Sequence, residues 1–273
     1  MRNLIKMDFY RLFHSKALKV CIIVSVIVSF VGMLLNLGIL EIIKLGTVDD
    51  PSSAADMEIL FPIVAWLGGV DFADVVISGT GTFSLFIACM VASNFVGAEQ
   101  SCGYVKNIAG QLSNRGLTIV SKFIITCFIQ LLVLVIYTIV CSICAGIFFG
   151  SYITGYSIVG LVQALVLRFL LFCAIDAILL FFCTLAKSHA IAMVIGAIFG
   201  IGVTTLVYMG INALLDFLKI TVNVAHIMPD GINGLIRVAN VGDIAVRAIV
   251  VAVVFIVAFV GGSVWIFRKR DVR

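Results

Sequence analysis

Two ionisable residues stand inside the apolar run "GLVQALVLRFLLFCAIDAILLFFCTLA", residues 160–186. Arg168 and Asp176 are eight positions apart, about 12 Å along a helix axis and turned by about 80°, so they do not pair with each other. Charged groups inside a hydrocarbon layer are costly and usually face a cavity or a partner. Asp176, near the middle of the run, is a candidate for an interhelix bond or for lining a pathway. Arg168 lies closer to one end, where a long side chain could snorkel to the surface.

Other chemistry is sparse. The three histidines, His14, His189 and His226, are scattered, and no H-E-x-x-H or paired-glutamate pattern occurs. No G-x-x-x-x-G-K-[ST] loop exists, so ATP cannot be bound by a P-loop of this chain. The chain is therefore expected not to be an enzyme, with no catalytic residue, metal site or cofactor of its own. Of the eight cysteines, only Cys102 lies outside the apolar runs. Cys141 and Cys144 form a C-x-x-C, but in mid-hydrocarbon they lack the electropositive setting that activates thiols, and packing is expected.

The elements that would position these residues are membrane spans. The composition is 63% hydrophobic and 12% charged, against about 25% charged in soluble domains. Apolar runs of about 18 residues or more suffice to cross a bilayer as helices. The fold expected is an all-α polytopic membrane protein, one transmembrane domain over 1–273, with six spans at 17–37, 79–96, 123–149, 160–186, 190–209 and 244–267. Five or seven crossings stay open, because only "KSH" separates the fourth and fifth runs. The first run is expected to remain as a signal-anchor. The pairs Gly146/Gly150 and Gly196/Gly200 have the spacing that lets helices approach closely.

Charge sets the orientation. With six spans, 13 of the 18 Lys and Arg fall on the side holding both termini, which predicts cytoplasmic termini in the plasma membrane. The net charge of +4 is then a topology signal and calls for no nucleic acid. Before the first span, Ile5, Phe9, Leu12 and Phe13 share one helical face, as in an amphipathic helix lying in the bilayer interface over residues 1–16. The segment 38–78 carries seven acids, Glu41, Asp49, Asp50, Asp56, Glu58, Asp71 and Asp74, against one lysine. It is expected as a solvated acidic loop, as a short helix against the outer membrane surface, or as a cover folded over the mouth of a pore. Residues 210–243, broken by Pro229 and glycines, suggest two short re-entrant or surface helices.

Between the second and third runs lies "GAEQSCGYVKNIAGQLSNRGLTIVSK", residues 97–122. Val105, Ile108, Ala109 and Leu112 recur at helical spacing while Lys106 and Asn107 face away, which predicts a short amphipathic helix at the cytoplasmic surface. With "LIKMDFYRLFHSK" before the first span, then Glu99, Gly103-Tyr104-Val105-Lys106-Asn107, Ser113-Asn114-Arg115 and Lys122, the chain resembles permease subunits of the type-2 ATP-binding-cassette exporter family. Tyr104 stands where that family often has Thr, and Asn114 separates its Ser–Arg pair.

The resemblance implies that residues 103–112, with Ile108 at their centre, form a coupling helix that docks on a separate cytoplasmic ATPase, oriented by Glu99 and Arg115. It further implies an ATPase dimer carrying ATP and magnesium, a second permease copy or paralogue, short extracellular helices within 210–243, and export of antimicrobial peptides or other amphiphiles. Two other classes fit the same elements: a channel or secondary transporter, and a membrane scaffold or sensor that recruits a cytoplasmic partner.

Overall fold

The computed structural model describes residues 2–46, 69–101, 116–186, 189–217 and 223–269. In chain order these form α1 (Arg2–His14), α2 (Lys16–Gly46), β1 (Val70–Asp71), α3 (Phe72–Gly79), α4 (Thr82–Ser101), α5 (Gly116–Phe148), β2 (Ile153–Gly155) and α6 (Ile158–Ala186). There follow α7 (His189–Ile201), α8 (Val203–Phe217), a 3-10 turn (Val224–His226), α9 (Pro229–Leu235), a second 3-10 turn (Val238–Asn240) and α10 (Val241–Lys269).

Among the described residues, five stretches are long and apolar enough to cross a membrane: Lys16–Glu41, Phe72–Gly97, Gly116–Phe148, Ile158–Leu185 and Val238–Lys269. A sixth exists if Met193–Ile201 and Leu206–Leu215, which meet at 74°, count as one. The described residues are thus almost wholly helical, with five or six such helices among them. Val246, Val250, Val253 and Val257 of α10 and Ile23 and Ile27 of α2 are each more than half exposed. In water that would be an unusually large apolar patch. A bilayer would cover it.

α6 is the centre of the bundle. All ten residues 171–180 are buried, which explains why the run is apolar on every face rather than striped. α10 lies along one flank of α6, where Leu167, Leu171 and Ala174 belong to one core with Ala248 and Ala252. α2, α4 and α5 make a second core around Met33, Ala88, Ile129 and Val133.

Several boundaries differ from the sequence expectation. The first helix runs on to Gly46, and α5 begins at Gly116, seven residues before the expected span. The expected polar segment 97–122 is therefore helical at both ends, in α4 to Ser101 and in α5 from Gly116. Residues 102–115, with Gly103, Tyr104, Val105, Lys106, Asn107, Ile108 and Arg115, lie outside the described residues.

Two spans are interrupted. The second breaks between α3 and α4 at Thr80–Gly81. There Thr80 Oγ1 donates to the Ile77 carbonyl at 3.1 Å and Ser84 Oγ to the Thr80 carbonyl at 2.6 Å. The fifth, expected to run unbroken over 190–209, stops at Gly202, whose φ of 79° is the left-handed conformation that ends helices and favours glycine. The two interrupted spans pack together. A Cβ on Gly196 would stand 3.0 Å from Cys89 Cβ, and one on Gly200 only 2.5 Å from Phe86 Cα. The pair Gly196/Gly200 therefore lets α7 approach α4, while Gly146 has no neighbour that a Cβ would touch.

At the end away from α1, the acidic segment is partly built into the structure. Asp71 caps α3, accepting from Ala73 N at 2.8 Å, and also accepts from Ser157 N at 3.1 Å. Asp74 accepts from Val238 N at 2.9 Å, and Glu41 from Tyr152 Oη at 2.9 Å. These three acids are structural ties rather than parts of a solvated loop. Asp49, Asp50, Asp56 and Glu58 lie outside the described residues.

Candidate functional site

Arg168 does not snorkel. It is 4% exposed and sits behind the break in the second span, where α3 leaves carbonyl groups without helical partners. Its Nη1 donates to the Ile77 carbonyl and to Thr80 Oγ1 (2.7 Å), and its Nε donates to Asn233 Oδ1 at 2.9 Å. No carboxylate is among these partners. The cation is held by neutral oxygens and by the negative end of the α3 dipole. The guanidinium fork suits this task because its fixed donors reach separate acceptors on different elements.

α9 connects both interruptions. Pro229 opens it at the first helical position, where a missing N–H costs nothing. One turn apart on α9, Asp230 and Asn233 make different contacts: Thr204 Oγ1, just after the Gly202 break, donates to Asp230 Oδ2, and Asn233 accepts from Arg168. Burial pushes the Asp230 carboxyl up from its ordinary value, and the Thr204 bond partly opposes that shift. Nearby, Arg247 Nη1 lies 2.6 Å from His226 Nδ1, so the first turns of α10 are tied to the same segment.

Asp176 is 1% exposed on α6, and neither carboxyl oxygen has a hydrogen-bond partner. It does not form the interhelix bond that its position suggested. Instead it lines a cavity between α4, α5 and α6 together with Ala92, Ser93, Val96, Thr126 and Cys183. About 10 Å³ of this cavity is open to the centre of a water. Ser93 Oγ also has no partner, and the Gln130 amide, one turn beyond Thr126 on α5, is buried with neither of its polar atoms bonded.

A third buried polar group was not anticipated. Asp8 of α1 is fully buried and accepts from Ser121 Oγ at 2.6 Å and from Lys122 Nζ at 2.9 Å. The lysine also lies 5.2 Å above the Phe95 ring of α4. The apolar face predicted for α1 is used beside it: Leu12 is buried, and Phe9 packs edge-on against Phe128 with centroids 4.9 Å apart. Asp8 stands three residues after Ile5 and four before Leu12, on the face that turns inward. That placement was the available signal, and an acid in a basic flank hid it.

Of the remaining expected residues, Glu99 lies in α4 by its backbone. Cys141 and Cys144 are buried and free. Among the described residues no group of three or more His, Cys, Asp or Glu side chains could hold a metal ion. Comparison of the chain with protein-family models finds no match, and comparison with curated proteins finds none either.

Proposed function

We propose that this chain is the permease subunit of an ATP-driven transporter of the ATP-binding-cassette exporter class, driven by a separate ATPase dimer docked on residues 103–112. One observation carries the reading: the buried contact of Asp8 with Ser121 and Lys122. It joins α1 to the first turns of α5, immediately after the segment that would receive the ATPase. Gly116, Thr118, Ile119, Ser121 and Lys122 are all buried, so α5 enters the bundle as a packed rod. A push on residues 103–112 would move α5 and α1 together and bias the bundle between two arrangements. Transport follows only if nucleotide and substrate stabilise those arrangements differently. In this reading both termini are cytoplasmic in the plasma membrane, a second permease copy or paralogue completes the pathway, and the substrates are antimicrobial peptides or other amphiphiles.

The test is co-purification followed by ATP hydrolysis. Tagged chain brings down a soluble ATPase, and Gly103→Trp or Lys106→Glu abolishes permease-stimulated hydrolysis while the variant remains folded and monodisperse. Undiminished stimulation in both variants removes the docking assignment. Labelling of a cysteine placed at Ser113 from outside intact cells would reverse the orientation.

A secondary transporter is the second reading, supported by the paired interruptions. Thr80–Gly81 and Gly202 fall in the second and fifth spans, equivalent positions if the chain divides into two sets of three. Interrupted helices in matching halves are a sequence-level pointer to transporter binding sites. Substrate flux driven by an ion gradient in vesicles holding this chain alone would favour it over the ATP-driven reading.

A further inference from the structure

We propose that Asp176 is a proton-binding site inside the membrane, its carboxyl protonated in this conformation and directed at a single water shared with Ser93 in the cavity between α4, α5 and α6.

The geometry carries this. Asp176 lies within a run of ten consecutive buried residues, 171–180, and neither of its oxygens meets a donor among the described residues. Arg168, two turns away on the same helix, is committed to Ile77, Thr80 and Asn233. Lys122 is held by Asp8. An unpaired carboxylate in such a place costs far more than protonating it. The cavity has about 10 Å³ open to a water's centre, at the lower limit of the roughly 10–15 Å³ that one water needs. Asp176, Ser93 and Thr126 supply the two to four polar partners that a buried water takes. Thr126 Oγ1 donates to the Phe123 carbonyl at 2.9 Å and keeps its lone pairs for the water. Room for one water leaves no place for an alkali cation together with water ligands of its own.

The titratable groups facing the site are thiols: Cys89 of α4, Cys127 of α5 and Cys183 of α6. The charged side chains along these elements are Arg168 on α6, two turns from Asp176, and Lys122 on α5, one turn from Thr126 and paired with Asp8 of α1. α7 over 190–201 and α10 over 248–267 contain no titratable residue. No helix uses Asp176 as a bond, so packing alone would accept an isosteric amide there. When the helices part and water enters, the acid ionises and its proton passes to that water. Closing takes one proton up again. This site stands whether ATP or an ion gradient drives the chain.

Infrared difference spectroscopy of the full chain in phosphatidylcholine vesicles tests it. Expected is the C=O stretching band of a protonated carboxyl at neutral pH, lost completely in Asp176→Asn, retained in Asp230→Asn, and moved in frequency by Ser93→Ala. A band that survives Asp176→Asn, or no band in the wild type, overturns the proposal. So does a band that appears only once sodium is withdrawn, since a cation would then occupy the site. Should Asp176→Asn fail to fold, Asp176→Glu decides the matter: the band must shift with the longer acid, and an unmoved band overturns the assignment.

Discussion

Arg168 on α6 and Asn233 on α9, 65 positions apart in the chain, are joined by a 2.9 Å hydrogen bond from Nε to Oδ1. Through the same guanidinium, Asn233 is linked to the interrupted end of α3 at Ile77 and Thr80. A short helix outside the spans is thereby clamped to the place where a span is discontinuous.

Replacing Arg168 by Met strands the Asn233 side-chain oxygen and leaves the Ile77 carbonyl and the Thr80 hydroxyl with only their bond to each other. Hydrogen bonds to charged groups are each worth roughly 1.5–3 kcal/mol, and part of that is recovered by no longer burying a cation. The expected loss is on the order of 3 kcal/mol, read by thermal or denaturant unfolding in detergent. Asn233→Ala should cost less, and the double variant should lose less than the sum of the two, because the residues share one network. Strict additivity would mean that the clamp is not coupled.

The pair Asp8–Lys122 is buried on both sides. Lys122→Met leaves a carboxylate in the bundle with Ser121 as its one remaining donor among the described residues. Removing one partner of such a pair typically costs about 3–5 kcal/mol. Adding Asp8→Asn to Lys122→Met should restore a large part of the lost stability, since no charge then remains to be buried. Protease resistance of the N-terminal helix would report the same order: wild type, double variant, single variant.

Gly200 offers a steric test. Its missing Cβ would stand 2.5 Å from Phe86 Cα, so Gly200→Ala requires α7 and α4 to separate. Overpacking of this kind costs about 1–3 kcal/mol. Gly146→Ala, where a Cβ meets nothing within 4 Å, should be neutral or slightly stabilising because alanine is the better helix former. A measured melting temperature that falls for Gly200→Ala and not for Gly146→Ala separates contact from spacing.

Asp230 makes stability depend on pH in a defined direction. Burial raises its folded value above the ordinary 3.8, so the folded chain binds the proton more tightly than the unfolded one. Its contribution is fully present below pH 3.8 and is lost as the pH rises through the raised folded value. Asp230→Asn, which keeps an acceptor for Thr204, should remove that decline. The stability difference between wild type and variant, followed against pH, checks the sign. A difference that grows in favour of wild type with rising pH would contradict it.

Much of the architecture was legible because it depends on local properties. Apolar length marked the spans around 17–37, 123–149, 160–186 and 244–267, and residue type alone singled out Arg168 and Asp176. Pro229 marked the break that begins α9. Partners were harder. Arg168 looked able to snorkel because it lies toward one end of its run, whereas its actual partners come from residues 77, 80 and 233. Asp8 was not singled out, although its spacing from Ile5 and Leu12 placed it on the inward face. The predicted docking residues from Gly103 to Arg115 lie outside the described residues.

By itself the sequence determined that this chain has apolar helices of membrane-crossing length, and that few polar groups would have to be accommodated among them. That much is local: hydrocarbon demands apolar side chains, and the helical backbone bonds to itself. Only the tertiary structure decided which polar group meets which. Asn233 could answer Arg168, and Lys122 could answer Asp8, only after distant helices had packed. The same packing left Asp176 without a bond, facing the unpartnered Ser93 hydroxyl of α4 across a space of about one water.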